Sequence, residues 1–478
     1  MIFLRWPRVR KAGTERTRRA IGTALRSRFS QWDDGDIDGL IAPWRHAVDK
    51  TNRSTPADAS LRSRVLALMR GGNISKAINM AESIGLGDTR LPEIRDQANR
   101  KHPARKEPVL AEARDYLNKF GNGDGDAAGG ERLNVDVHSV FEGLDRMMAA
   151  GCSGTKNEHL TALAPPEPYD SPLAAKAMDH IRDFANLWVN GELPGWVLLP
   201  FCINELVMPY KEVPAEGATP DCRPVGCPDP MRRAIESAMM NQASEDFAKE
   251  FYPQQVSVGV KGGIELMTHS ARLTMETDAG ANFDFVKLDL SNAHNEFKRH
   301  QALKAMAERP RLRKYVRGCH STLVIAPPIH CIGGTLERLS EEGGPQGAPP
   351  SSAEFGIAIH DEVVALGTAL AAVNGAARFM SDDGLAWGPP GVLWPAVAQF
   401  EAAVANKGGI LRLSKSARFS PNGDYSCGDA NVPVCRVDPE DPTSPDGLAV
   451  CNIPLGSDEF IHSYLASKAS KTCRAISN

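Results

Sequence analysis

The chain has 478 residues and a net charge of −4, with 42% hydrophobic and 24% charged residues. This composition is typical of globular proteins and excludes a fully disordered chain. The length predicts about three domains or subdomains at roughly 150 residues each, and the lack of any run of about 18 apolar residues predicts no membrane-spanning helix.

The first 31 residues carry nine Lys or Arg and a single acid, a local charge of +8. An Arg-rich, acid-poor opening is also typical of mitochondrial presequences, so that location stays open beside a nuclear or cytoplasmic one. The ten cysteines form no CxxC pair. We therefore expect free thiols in a reducing, intracellular compartment.

Residues 1–120 are predicted to form a helical N-terminal extension, with amphipathic patterns before residue 85 that end at glycines. Residues 121–131 (GNGDGDAAGGE) are predicted to be a linker, because turn-forming residues dominate them. From 132 to 280, helix-like stretches alternate with Pro-rich loops.

The region 281–470 contains the predicted strands. FDFVKLDL (283–290) is an apolar run that predicts a buried strand, and AARFMSDDGLAWG (376–388) predicts two strands joined by an acidic turn. Helical patterns, NEFKRHQALKAMAE and then SSAEFGIAIHDEVVALGTALAAVNG from Ser351 onward, separate these strands. The interleaved elements predict an α+β fold with an antiparallel hairpin at its centre.

Three aspartates in these strands point to metal chemistry. Taken singly, each feature has an ordinary structural explanation. Asp289 can be a strand end and Asp382-Asp383 a hairpin turn, while 343–347 can be a flexible loop and Lys415 a solvated lysine. Taken together, two adjacent carboxylates raise each other's pKa unless a divalent cation offsets them. With a third carboxylate they form an all-oxygen site suited to Mg²⁺, and two such ions support nucleotidyl transfer.

Four segments resemble, in order, the palm motifs of reverse transcriptases. They are FVKLDLSNAHNEF, EGGPQGAPPSSAEF, ARFMSDDGLAWGPP and GGILRLSKSARFSP, the last resembling a strand that ends in Lys415. The separations are 57 residues from Asp289 to Gln346, 36 to Asp382 and 33 to Lys415. AAGCSGTKNEHL, LALMRGGNISKAINMAESIGLGD and AVCNIPLGSDEFIHSYL resemble elements of non-LTR retrotransposon polymerases.

The resemblance implies a right-hand polymerase that copies RNA into DNA. Its fingers and the N-terminal part of its reverse transcriptase domain would lie in 132–280 and its palm in 281–470, with the thumb incomplete or absent. An RNA template, a DNA primer and dNTPs would be its partners, and two Mg²⁺ ions its cofactors, with Mn²⁺ as the alternative ion. No membrane partner is expected.

The resemblance also assigns roles to residues. Asp289, Asp382 and Asp383, with the backbone of Leu290, would hold the metal ions, and Lys415 would protonate the leaving pyrophosphate. The expected nucleotide-binding residues are Lys211, Arg223, Gln346 and Gly347. The expected primer-gripping residues are Leu455 and Gly456. His294 stands where the family has an aromatic ring that blocks a ribose 2′-hydroxyl, which leaves the choice between dNTP and NTP open.

Two alternatives remain. RNA-dependent RNA polymerases share the strand aspartate and the acidic hairpin, but they usually carry a second aspartate where His294 stands and a different second motif. A decayed or domesticated chain that binds nucleic acid without catalysis is favoured by the acidic overall charge and by Met380 near the acidic pair. The three intact carboxylates argue against decay.

Overall fold

The computed structural model describes residues 85–104 except 90, 132–145, 153–164, 172–211, 219–438 except 326–328 and 333–334, and 441–477 except 442. Four isolated positions before residue 37 are also described. The helices predicted before residue 85 and the linker predicted at 121–131 lie outside these residues.

The N-terminal part of the described chain is helical. Its helices are α1 (Pro92–Arg100), α2 (Val137–Glu142), α3 (Asn157–Thr161), α4 (Pro172–Val189) and α5 (Gly195–Leu198), the last continued by a 3-10 turn, Leu199–Cys202. Helix α2 begins after Asp136, whose carboxylate accepts hydrogen bonds from two backbone N–H groups of the first turn.

A mixed sheet follows these helices. Its strands are β1 (Ile203–Val207), β2 (Val225–Cys227), β4 (Ile329–Ile332) and β5 (Thr335–Leu339), in the order β2-β1-β4-β5. Strands β1 and β4 are parallel and the other two pairs are antiparallel.

Helices of 4 to 22 residues lie between these strands or after the last of them. They are α6 (Pro230–Phe251), α7 (Gly263–Met275), α8 (Ala293–Glu296), α9 (Arg299–Glu308), α10 (Val316–His320), α11 (Ser351–Ala358), α12 (His360–Ala371), α13 (Pro390–Asn406) and α14 (Asp458–Ser477). Helix α6 buries 11 of its 22 residues, with Ile235 and Met239 in a first half that is buried on most sides and Phe247 in a second half that is buried on one side. It is therefore a central helix of the core.

A four-stranded central sheet carries the predicted acidic residues. It consists of β3 (Asp284–Asp289), β6 (Ala376–Met380), β7 (Asp383–Gly388) and β8 (Ala417–Phe419), in the order β6-β7-β3-β8. Every pair in it is antiparallel. The predicted strand at 283–290 and the predicted hairpin at 376–388 are confirmed, and the fold is α+β.

The two faces of the central sheet pack against different partners. Val286 and Leu288 point into the large helical core, whereas Phe285, which directly precedes Val286 in sequence, joins a second core. This alternation is the period of two that a strand imposes. The second core contains Leu448 and Leu455 from a further hairpin, β9 (Gly447–Val450) with β10 (Ile453–Gly456).

Two predicted elements differ from the structure. The helix expected from Ser351 onward is interrupted at Ile359, because the Gln255 side-chain amide donates to the Gly356 carbonyl (2.8 Å) and also contacts His360. The strand expected to end at Lys415 is wrong. Residues Leu413–Lys415 form one 3-10 turn, and β8 begins only afterwards.

No helix in the described ranges combines the length and the apolarity that crossing a membrane requires.

Candidate active site

Two of the predicted aspartates lie opposite each other on adjacent strands of the central sheet. Asp289 ends β3, Asp383 begins β7, and the two are directly opposite in the antiparallel register. Directly opposed residues point to the same face, with Cβ atoms about 5 Å apart. The strand period places Lys287 and Phe285 on that same face, which is the face covered by the β9–β10 hairpin.

The third aspartate lies in the turn between β6 and β7. Met380 pairs with Asp383, so Ser381 and Asp382 form a two-residue connection. Ser381 has a left-handed backbone, with φ of 60°, as tight hairpin turns require. Asp382 therefore stands at the end of the strand pair, next to the opposed carboxylates.

The charges around Asp289 show how closely these groups converge. Burial raises the pKa of Asp289, Lys287 and Lys415 lower it, and the carboxylates of Asp383 and Asp382 raise it. The Lys287 ammonium also lies 3.7 Å from the Asp383 carboxylate. Three carboxylates and two lysines thus share one end of the central sheet.

Lys415 reaches this site through a local turn instead of a regular strand. The Arg412 backbone N–H donates to the Asp289 carbonyl (2.9 Å), and the Lys415 N–H then donates back to the Arg412 carbonyl (2.9 Å). The hydroxyl of Ser416 accepts the Asp289 N–H (3.2 Å), replacing a backbone acceptor. Leu290, the expected backbone ligand, forms an antiparallel bridge with Leu411.

The β9–β10 hairpin contacts the acidic face at its turn. Cys451 and Asn452 both have positive φ (48° and 66°), and the Cys451 thiol donates to the Asp383 carboxylate at 3.5 Å. Burial raises the pKa of Cys451 to about 12, and the Asp383 charge adds to this, so the thiol stays protonated. Leu455 is buried in the second core, and Gly456 pairs with Gly447.

His294 connects three segments. Its Nδ1 lies 3.3 Å from the Ser351 hydroxyl on α11, and its Nε2 lies 3.4 Å from the Ser381 hydroxyl in the acidic turn. Burial lowers the pKa of His294, which the charge of Asp382 partly opposes. The imidazole ring lies beside Phe355, with ring centroids 5.6 Å apart. The ring is therefore at the edge of the acidic site.

The Gly-rich loop packs against helix α8 and strand β2. Gly343 has φ of 62°, and a Cβ atom there would lie 2.3 Å from the His294 carbonyl. Gly347 donates its N–H to the carbonyl of Gly226 on β2 (3.2 Å), which a Cβ atom would approach to 2.6 Å. Only glycine tolerates such close backbone contact. Gln346, between them, is exposed.

Lys211 and Arg223 lie on paired segments just after β1 and before β2. The Lys211 N–H donates to the Asp221 carbonyl and the Arg223 N–H donates to the Pro209 carbonyl, both at 2.8 Å. The Lys211 ammonium forms an ion pair with Asp221 at 2.8 Å. The two predicted triphosphate-binding residues are therefore neighbours, held by backbone hydrogen bonds.

The donor set fits a hard divalent cation, although its members do not form a closed cluster. Among the residues that the structure describes, no group of three or more His, Cys, Asp or Glu side chains stands close enough to hold a metal ion. Asp289, Asp382 and Asp383 supply the carboxylate oxygens that Mg²⁺ prefers.

No family model matches this chain, and no curated protein matches it.

Three residues near the carboxylates were not expected from the sequence. Lys287 could have been found, because it lies two residues before Asp289 on a strand and hence on the same face. Cys451 comes from a hairpin 68 residues beyond Asp383, and no local pattern marks it. Ser351 belongs to the second resembling segment, but the contact of its side chain with His294 depends on the tertiary fold.

Proposed function

We propose that this chain is an RNA-directed DNA polymerase of the non-LTR retrotransposon type. The observation that carries the proposal is the opposed pair Asp289 and Asp383 beside the turn residue Asp382, in the order and spacing of the resembling segments. In this proposal the fold is a right-hand polymerase. The central sheet is its palm, and the mixed sheet with its helices belongs to the fingers.

The roles of the site residues follow from their chemistry. Asp289, Asp382 and Asp383 would hold Mg²⁺, which when bound would activate the primer hydroxyl and stabilise the pyrophosphate leaving group. Lys211 and Arg223 would bind the triphosphate, Arg223 through its two-pronged guanidinium. Lys415 would supply a proton to the departing oxygen.

Two further contacts and one exposed side chain support this assignment. Gly347, packed on β2, would let the nascent base pair approach the backbone, and the exposed Gln346 would lie beside it. The β9–β10 hairpin, with Leu455 and Gly456, meets the acidic face through Cys451, where a primer end must lie for its hydroxyl to reach the carboxylates.

The test is primer extension by the full chain with Mg²⁺, on RNA and on DNA templates, with dNTPs and separately with NTPs. We expect dNTP incorporation on an RNA template. Extension with NTPs alone would favour an RNA-dependent RNA polymerase instead. Template binding without any extension would favour a nucleic-acid-binding protein that lacks catalysis.

A further inference from the structure

One carboxylate beside the proposed triphosphate-binding residues is held by two lysines from distant parts of the chain. Asp221 pairs with the Lys211 ammonium at 2.8 Å through one oxygen and with the Lys101 ammonium through the other. Burial opposes ionisation of Asp221, but the hydrogen bonds from the two lysines outweigh it and lower its pKa to about 2. Asp221 is therefore an anion at every physiological pH.

Lys101 is fixed in this place by the helix that precedes it. It follows α1 directly, and Gln97 in that helix makes two hydrogen bonds to the Asp221 segment. The Gln97 amide donates to the Pro220 carbonyl (2.7 Å) and accepts the Cys222 N–H (3.1 Å). The backbone of Lys101 is thus positioned by contacts that do not involve its charge, and its ammonium donates to the Cys222 carbonyl as well as to Asp221.

The same lysine adjoins the carboxylate strand. The Asn292 side-chain amide donates to the Lys101 carbonyl at 2.8 Å. Asn292 lies three residues after Asp289 and has a left-handed backbone, with φ of 52°. Lys101 therefore lies between the Lys211 segment and the chain that leaves the catalytic strand.

These charges are open to solvent. The side chains of Lys101, Lys211 and Asp221 are 24%, 33% and 42% exposed. Ion pairs with such exposure are weak, so an anion of higher charge can displace the carboxylate. Lys101 and Asp221, but not Lys211, line a pocket of about 440 Å³ that also has the acidic Glu93 and Asp96 in its wall, so the lysine pair, and not the pocket as a whole, selects an anion.

We propose that Lys101 and Lys211 form one binding site for the terminal phosphates of a nucleoside triphosphate, and that Asp221 occupies this site as an intramolecular competitor until the substrate displaces it. This inference rests on the proposed polymerase function for the identity of the substrate. It adds Lys101, from outside the resembling palm segments, as a substrate-binding residue. It also makes Asp221 an intramolecular competitor of the incoming nucleotide.

The probe is inorganic tripolyphosphate, whose binding to the full chain is measured by calorimetry. Asp221→Asn keeps the shape of the side chain but removes its charge. We expect it to tighten tripolyphosphate binding by about threefold to thirtyfold, the range that two exposed ion pairs represent. Lys101→Met should weaken binding, Lys101→Arg should largely preserve it, and the Asp221→Asn gain should shrink in the Lys101→Met background.

A purely structural role for Asp221 predicts the opposite. Asp221→Asn would then lower the thermal unfolding temperature and leave binding unchanged or weaker, and that result would overturn the inference. If Asp221→Asn does not fold, acetylation of the wild-type chain still tests whether the two lysines share one site. Tripolyphosphate should protect both Lys101 and Lys211 from acetylation, and protection of Lys211 alone would contradict a shared site.

Failure of this inference is separable from failure of the polymerase proposal. Tripolyphosphate binding does not require primer extension. If the chain extends primers but Asp221→Asn does not change tripolyphosphate binding, the polymerase proposal stands and the competition by Asp221 is refuted. If Asp221→Asn tightens binding but the chain extends no primer, the anion site stands and the polymerase proposal is refuted.

Discussion

At the scale of single residues, His294 is the least conventional member of the site. Both of its ring nitrogens lie within 3.4 Å of serine hydroxyls, Ser351 on α11 and Ser381 in the acidic turn. The ring is thus oriented by polar contacts, which a Phe or Tyr ring at this position could not make through ring nitrogens. An imidazole is also smaller than a phenyl ring, which leaves more room for a ribose 2′-hydroxyl.

His294→Phe should therefore sharpen the preference for dNTP over NTP by about tenfold to a hundredfold, the value of one steric clash or hydrogen bond. The measurement is the ratio of kcat/KM for the two nucleotides. Ser351→Ala is the control, because it removes a contact to the ring and leaves the ring in place. An unchanged ratio in His294→Phe would contradict this, and would mean that His294 already excludes the 2′-hydroxyl or does not face the sugar.

At the scale of elements, the Gly-rich loop depends on close backbone contact. Gly343→Ala would combine a left-handed φ with a Cβ atom 2.3 Å from the His294 carbonyl. Gly423 offers a matched control, because its φ is 71° and a Cβ atom added there would meet nothing within 4 Å. The two substitutions share backbone strain and differ in steric overlap.

We expect Gly423→Ala to lower the free energy of unfolding by about 1 kcal/mol, the cost of a left-handed residue with a side chain. Gly343→Ala should lower it by about 3 kcal/mol or more, because overlap in a packed region is added. Urea unfolding of both variants measures the difference. Equal losses would mean that the loop does not pack on the His294 segment as described.

A buried acidic residue lies beneath the same loop. Glu354 on α11 is 2% exposed, and a Cβ atom on Gly344 would lie 3.0 Å from its carboxylate. Burial raises the pKa of Glu354 to about 7, and the charge of Glu236 adds to this, while Arg232 opposes it. Because this pKa is above its unfolded value, protonation stabilises the folded state.

The stabilisation from Glu354 is full below its unfolded pKa of about 4.5 and is lost as pH rises through about 7. We expect Glu354→Gln to stabilise the chain at pH 8 relative to the wild type by up to about 3 kcal/mol, at 1.4 kcal/mol per pKa unit. Unfolding free energies at pH 5 and pH 8 test this. Glu265→Gln, at an exposed position on α7, should show no such pH dependence.

At the scale of the whole molecule, the two hydrophobic cores position the site by packing on opposite faces of the central sheet. The helical core covers one face of the central sheet, and helix α7 together with the β9–β10 hairpin packs on the other. The carboxylates of the candidate site lie at the edge of the second core, where the Cys451 turn contacts Asp383. Packing thus fixes the sheet on both faces and leaves its acidic end available to a ligand.

The sequence predicted those features that depend on neighbouring residues. Strand β3 and the β6–β7 hairpin follow from apolar runs and an acidic turn, which are local signals. A shared site for the three carboxylates was predicted from the sequence, but the direct opposition of Asp289 and Asp383 was not, because register is set by tertiary packing. Lys101 was missed, since it meets Asp221 across 120 residues of sequence. The break at Ile359 was missed because a distant glutamine causes it.

The central claim is that Asp289, Asp382 and Asp383 form a metal-dependent nucleotidyl transfer site. The most direct measurement compares Asp382→Asn with Asp278→Asn in primer extension on an RNA template, with template binding measured in parallel. Asp278 is exposed and lies before the start of β3, so its variant removes the same charge at the opposite end of the strand from Asp289.

Asp382→Asn should lower the rate of extension by about a thousandfold, because electrostatic stabilisation is usually the largest catalytic contribution. Its template affinity should remain close to that of the wild type, since phosphate contacts elsewhere provide it. Asp278→Asn should leave both unchanged. Near-normal extension by Asp382→Asn would contradict the assignment of the acidic site.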